Sequence, residues 1–199
     1  MSTVATTGRT FIDPRITRRD LGDVTRTLAA HAPTHDLDGS FPWPGVEAVH
    51  DAGILTATVG RRYGGRGLSA RETLDVYLAL GEGDPSVALL VAMTAAQHAL
   101  QDAAAFWPES LYERVLTESE ERPLLLNAVR AEPELGAPAR GGLPATTAHR
   151  TADGWSVSGR KAFATGSEGL AYHLVWVVTD EPAPRVGHVI VPGDDPRVT

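Results

Sequence analysis

Apolar positions recur at helical spacing through the first part of the chain and at strand spacing through the rest, with the change at Arg122-Pro123. Over residues 16–31, Leu21, Val24 and Leu28 share one helical face, and Pro33 is expected to end that helix. A loop rich in Pro, Gly and Asp, residues 33–42, precedes a short helix that opens at Pro44 and stops before Gly53. Ser69-Ala70-Arg71-Glu72 has the form of a capping box, in which the Ser hydroxyl and Glu carboxylate satisfy free N–H groups of the first turn. The helix it starts carries Leu74, Val76, Tyr77, Leu78 and Leu80, and Gly81 with Gly83 are expected to close it. Asp84-Pro85 begins the next helix as N-cap and first-turn proline. Residues 86–106 are apolar almost all round, which predicts a helix buried on most sides. Pro108 opens a last helix, with Leu111, Tyr112, Val115 and Leu116 as its inner face.

The segments 124–129, 145–149, 154–158, 172–178 and 186–191 are β-prone, and Asp153-Gly154 is a two-residue hairpin signal. The pattern therefore predicts an α+β chain: an all-α helical domain over 16–122, then an antiparallel β domain over 123–199. Residues 1–15, dominated by Ser, Thr and Gly without a period, read as a loosely attached N-terminus.

Composition narrows the function. A net charge of -7, with 25 acidic against 18 basic residues, argues against nucleic acid or an anionic membrane as the main partner. The absence of cysteine excludes disulfides, thiolate metal sites and a thiol nucleophile, and it fits a reducing cytoplasm. No metal-ligand spacing is present. The longest apolar stretch, residues 87–93, is too short to span a bilayer, and no signal peptide is visible.

Two features invite chemistry and have plainer readings. Tyr63-Gly64-Gly65-Arg66-Gly67-Leu68 is glycine-rich, but its spacing is neither that of a dinucleotide turn nor of a P-loop, so a tight helix-to-helix connector is expected. His98 is the one titratable residue of the buried helix. It reads as a packing residue partnered by Gln97, Gln101 or Asp102, or else as a base.

The stretch 126–165, where the chain changes character, carries most of the functional signal. Ala131-Glu132-Pro133, Gly136-Ala137, Asp153-Gly154-Trp155 and Gly159-Arg160-Lys161-Ala162-Phe163-Ala164-Thr165 follow one another, then an apolar segment, 174–179. In order and spacing this series resembles the acyl-CoA dehydrogenase superfamily of flavoproteins. The upstream Tyr63–Leu68 and Asp84-Pro85-Ser86 elements also fall where that family has them. The resemblance implies FAD at the edge of the β domain, with Ala128, Arg130 and Ala131 offering backbone groups to the pyrimidine end of the ring. It puts Phe163 where an aromatic packs on the isoalloxazine, and Thr165 where a hydroxyl bonds near N5 and O4. Gly136 and Ala137 match the Gly-Ser that approaches the flavin phosphate and the thioester. Two hydroxyls are missing: Ala131 replaces Thr and Ala137 replaces Ser. From the residues alone, Phe163 reads as β core, Thr165 as an ordinary strand residue and Glu132-Pro133 as an ordinary turn.

The same resemblance implies a second helical bundle carrying the catalytic carboxylate, so no residue here is assigned as catalytic. The expectation is a fragment, or a natural half, completed by a C-terminal helical partner or by oligomerisation. Three functions follow. One is α,β-dehydrogenation of an acyl-CoA or other acyl thioester, in which flavin N5 accepts a hydride. The second is a flavin-dependent monooxygenase or oxidase on the same scaffold, with His98 in an uncertain role. The third is a non-catalytic relative that only binds.

Overall fold

The computed structural model describes residues 18–134 and 142–198, so the expectations for residues 1–15, Gly136 and Ala137 lie outside the described residues. The chain divides into two compact units on either side of Leu124 and Leu125. No helix among the described residues is long and apolar enough to cross a membrane.

The first unit holds α1 (Arg18–Asp38), α2 (Trp43–Asp51), α3 (Ala70–Gly83), α4 (Pro85–Ala104) and α5 (Glu109–Glu121). Pro33 does not end α1; it lies inside it. The proline removes one N–H, but packing of Val24 and Leu28 outweighs that loss, and the helix runs on to Gly39. There a φ of 70° turns the chain, and the Gly39 N–H closes on the His35 carbonyl at 2.9 Å.

The capping box forms as expected: Ser69 Oγ accepts from the Glu72 N–H, and the Glu72 carboxylate accepts from the Ser69 N–H at 2.8 Å. Gly81 lies within α3 rather than closing it, and Leu74 and Leu78 face outward. Gly83, the last residue of α3, touches α1 instead. A Cβ there would meet the Thr25 carbonyl oxygen at 2.5 Å and Leu28 Cβ at 2.8 Å. The Thr25 hydroxyl adds a bond to the Ala79 carbonyl at 2.8 Å. The two helices are held backbone to backbone.

Asp84 caps α4, its Oδ1 accepting from the Ser86 and Val87 N–H groups at 2.7 and 3.3 Å. The buried partner of His98 is not on α4. His98 Nδ1 pairs with the Tyr112 hydroxyl of α5 at 2.9 Å, because its ring points out of its own helix into the bundle. Gln101 links three segments: its Nε2 donates to the Tyr63 hydroxyl at 3.0 Å, and its Oε1 accepts from the Trp107 N–H at 2.8 Å.

The glycine-rich turn is a connector. Gly64 and Gly67 have φ of 86° and 61°. The N–H groups of Gly64, Gly65 and Gly67 bond to the carbonyls of Arg61, Gly60 and Val59, so the loop spends its donors on itself rather than on a phosphate.

The second unit is one five-stranded sheet built on β4 (Leu170–Thr179). Strands β1 (Leu125–Val129) and β2 (Thr147–Thr151) pair with β4 in parallel, whereas β3 (Gly154–Ser158) pairs antiparallel with β2 and β5 (Val186–Pro192) antiparallel with β4. The expected antiparallel domain is thus a mixed sheet. β2–β3 and β4–β5 form hairpins, but β1 and β2 reach β4 through longer connections that permit a parallel return. The β2–β3 turn also sits one residue earlier than its sequence signal. Thr151 pairs with Gly154, so Ala152-Asp153 form the loop and Gly154 opens the strand.

Two outcomes follow for the helical unit. Gly83→Ala forces α1 and α3 apart and lowers stability by about 1–3 kcal/mol in urea unfolding followed by circular dichroism. Desolvation holds His98 at about 4, below its ordinary 6.5, so the neutral ring is the folded form. That contribution is fully present above pH 6.5 and is lost as pH falls toward 4. Urea midpoints recorded across that range are less pH-dependent in His98→Gln than in the parent chain.

Candidate functional site

The segment after β3 was expected as a strand. Instead, residues 159–166 join no ladder and lie across the end of β1. Three ties hold them there. The Ala162 N–H donates to the Ala131 carbonyl at 2.9 Å. Asn127, buried in β1, donates from Nδ2 to the Thr165 carbonyl at 3.0 Å. Lys161 Nζ reaches Glu132 Oε1 at 2.7 Å.

The third tie is an ion pair removed from water. The side chains of Lys161 and Glu132 are only 10% and 6% exposed. Glu132 also accepts from the Ala145 N–H at 2.8 Å, the Thr146 N–H at 2.9 Å and the Thr146 hydroxyl at 2.6 Å. Burial alone would raise its pKa. The Lys161 and Thr146 side-chain bonds and the two backbone donors outweigh that and hold it at about 2. In sequence Glu132 reads as a turn residue; the available cue is a carboxylate three residues past an apolar strand, with its lysine in the distant Gly-Arg-Lys stretch. Gly159 is required beside this anchor, because a Cβ would come within 2.7 Å of the Thr146 Cα.

The lashing brings together five of the sequence-predicted residues at one sheet end. Ala128 lies half-buried in β1, Arg130 and Ala131 follow it, and Phe163 and Thr165 come from the crossing segment. The Ala131 carbonyl is committed to Ala162, so among its main-chain groups the N–H is the one left for a ligand. Phe163 is 89% exposed with φ of 55°, a conformation that a bulky residue seldom adopts. The ring is therefore not strand core. Thr165 is half-buried, with its N–H donating to the Phe163 carbonyl at 2.9 Å. On the far flank from β4, β1 pairs with no other strand among the described residues. An exposed ring beside an edge strand is the kind of surface a flat heterocycle can use. His98, by contrast, is enclosed in the helical unit's own core.

A separate cleft of about 530 Å³ opens on the sheet face that carries His173, Val175, Val189 and Val191. It contains none of Ala128, Arg130, Ala131, Phe163 or Thr165. No cluster able to hold a metal ion occurs among the described residues.

Comparison with known proteins bears on this arrangement. Residues 22–109 match the family model for the acyl-CoA dehydrogenase N-terminal domain. The chain is 29% identical over 181 residues to the putative acyl-CoA dehydrogenase YdbM of Bacillus subtilis, covering 90% of this chain and 46% of that protein. Among solved structures, the dibenzothiophene monooxygenase TdsC of Paenibacillus sp. A11-2, complexed with FMN and indole, superposes with a TM-score of 0.74 at 22% identity, over 88% of this chain and 43% of that one. A nitrososynthase from Micromonospora carbonacea gives 0.74 at 22%, over 94% and 48%. Over most of its length the chain is similar to proteins of the acyl-CoA dehydrogenase superfamily, and it has the α+β fold of the solved structures it superposes on. It spans about half the length of the curated relatives it matches.

Removing the anchor should loosen the crossing segment. Glu132→Gln leaves the Lys161 ammonium buried without its counter-charge, and lowers stability of the strand unit by about 3–5 kcal/mol in urea unfolding. The parent's Glu132 contribution is present above its ordinary pKa of 4.5 and is lost as pH falls toward 2, and this acid loss shrinks in the variant.

Proposed function

We propose that this chain is the flavin-holding portion of an oxidoreductase that dehydrogenates an acyl thioester, completed by a C-terminal helical partner or by self-association. The observation that carries the reading is Phe163, an aromatic ring kept in solvent on a strained backbone beside an edge strand. Phe163 gives the flat face on which the ring rests, and Thr165 a hydroxyl toward its N5 and O4 edge. Ala128, Arg130 and Ala131 give main-chain contacts to the pyrimidine end; the resemblance assigns the phosphate to Gly136 and Ala137, which lie outside the described residues. The flavin, FAD in this reading, supplies the acceptor for a hydride. Glu132 takes no part as a base, since Lys161 and Thr146 hold its carboxylate.

The second reading is a flavin monooxygenase. It is favoured by the superposition on TdsC, whose complex contains FMN, and by the two alanines where the dehydrogenase pattern carries hydroxyls.

Titration of FAD and FMN into the chain, followed by flavin fluorescence, tests the shared step. Saturable binding that weakens about tenfold in Phe163→Ala is expected. Equal affinity of parent and variant would remove Phe163 from the site. With the completing half supplied, anaerobic dye reduction by acyl-CoA marks the dehydrogenase, and substrate oxygenation coupled to oxygen consumption marks the monooxygenase.

A further inference from the structure

Beside the proposed flavin ledge stands a cluster of side chains that the proposed function leaves unused, although it uses the Arg130 main chain. Trp176 of β4 and His188 of β5 are direct cross-strand partners, with ring centroids 4.8 Å apart. Arg130 approaches from just past β1, on the opposite flank of β4. Its guanidinium carbon lies 5.7 Å from the centre of the Trp176 ring. Its Nε donates to His188 Nε2 at 3.3 Å. The side chain therefore crosses the indole from one flank of β4 to the other and is fixed at both ends of its span.

Three consequences follow from that geometry. Donation to His188 Nε2 requires that nitrogen to be unprotonated, so the histidine is neutral and the cluster carries a single positive charge. The nearby Lys161 charge is already matched by Glu132, whereas Arg130 forms no ion pair among the described residues. With Nε engaged, the terminal Nη groups are the donors left to the guanidinium, and Arg130 is exposed. A guanidinium whose aim is set by stacking and by a neutral acceptor, with its terminal fork open, is preorganised for bidentate contact with an oxyanion. Structural packing alone would not need an unmatched cation here. An arginine serving only the sheet's stability gains more from a carboxylate than from a neutral imidazole.

We propose that Arg130, oriented by Trp176 and His188, is a binding position for a carboxylate or phosphate group of a ligand carried on the strand unit. This goes beyond the flavin reading and stands without it. The oxyanion has two sources, the phosphate of a flavin or an acidic group of a substrate.

The test follows the Arg130 Nε–H signal of the whole chain by 15N NMR during titration with sodium phosphate at constant ionic strength. A saturable shift is expected in the parent chain. Arg130→Gln weakens phosphate binding more than tenfold, and Arg130→Lys, which keeps the charge and loses the fork, also weakens it. Trp176→Leu weakens it several-fold while leaving the charge in place. Arg130 is exposed, so circular dichroism should report an unchanged fold in its variants. A shift that stays linear in phosphate, or Arg130→Gln binding phosphate within twofold of the parent, overturns the proposal. A second arm compares FMN with riboflavin. If Arg130→Gln weakens FMN alone, the oxyanion is the flavin phosphate. If neither flavin responds while phosphate does, the position serves a substrate group. If neither flavin binds at all, the proposed function fails, while the phosphate result still decides this site.

Discussion

The strand unit depends on one ion pair. Glu132 and Lys161 belong to segments separated by the β2–β3 hairpin, and their contact presses residues 159–166 against the end of β1. A buried charge pair is a costly fastener, because each ion gives up water. Here the cost is offset by full hydrogen bonding of the carboxylate, which uses Ala145, Thr146 and Lys161 together. The arrangement specifies a geometry more than it adds stability. An apolar pair of similar volume would hold the segments without directing them, whereas a carboxylate with fixed donors sets the crossing point. Ala131, Phe163 and Thr165 are brought to one place by that choice.

The sequence was most legible where the physics is local. The capping box at Ser69 and the cap at Asp84 act over two or three residues, so their chemistry is written in consecutive letters. The order of helices and strands was likewise readable from hydrophobic period. What could not be read were interactions whose partner is remote. His98 pairs with a tyrosine on the next helix rather than with a neighbour on its own, and Glu132 reads as a turn until Lys161 is placed beside it. Parallel pairing of β1 with β4 is hidden for the same reason. Proline at position 33 misled because its local penalty is real but smaller than the packing of the helix that contains it.

At the candidate site, five of the residues that motif order singles out lie at one end of the sheet. Ala131, Phe163 and Thr165 are adjacent because of ties that no motif spells out, and the 159–166 segment left the ladder that its composition suggested. The helical unit shows the complementary pattern. Its glycines and Gln101 close the bundle through direct backbone approach and shared side-chain bonds, and its phosphate-like loop turns its donors inward.

Phe163 sets two demands against each other. Its backbone angle is one that glycine adopts freely, so replacement by glycine would relax the chain at this point. Selection for stability alone would favour losing the ring, since an aromatic held in solvent returns no burial energy. On the proposed flavin reading, that deficit is offset by what the ring contributes to binding. If the flavin reading holds, relatives that have lost flavin binding should carry glycine or asparagine at this position while their cores remain intact.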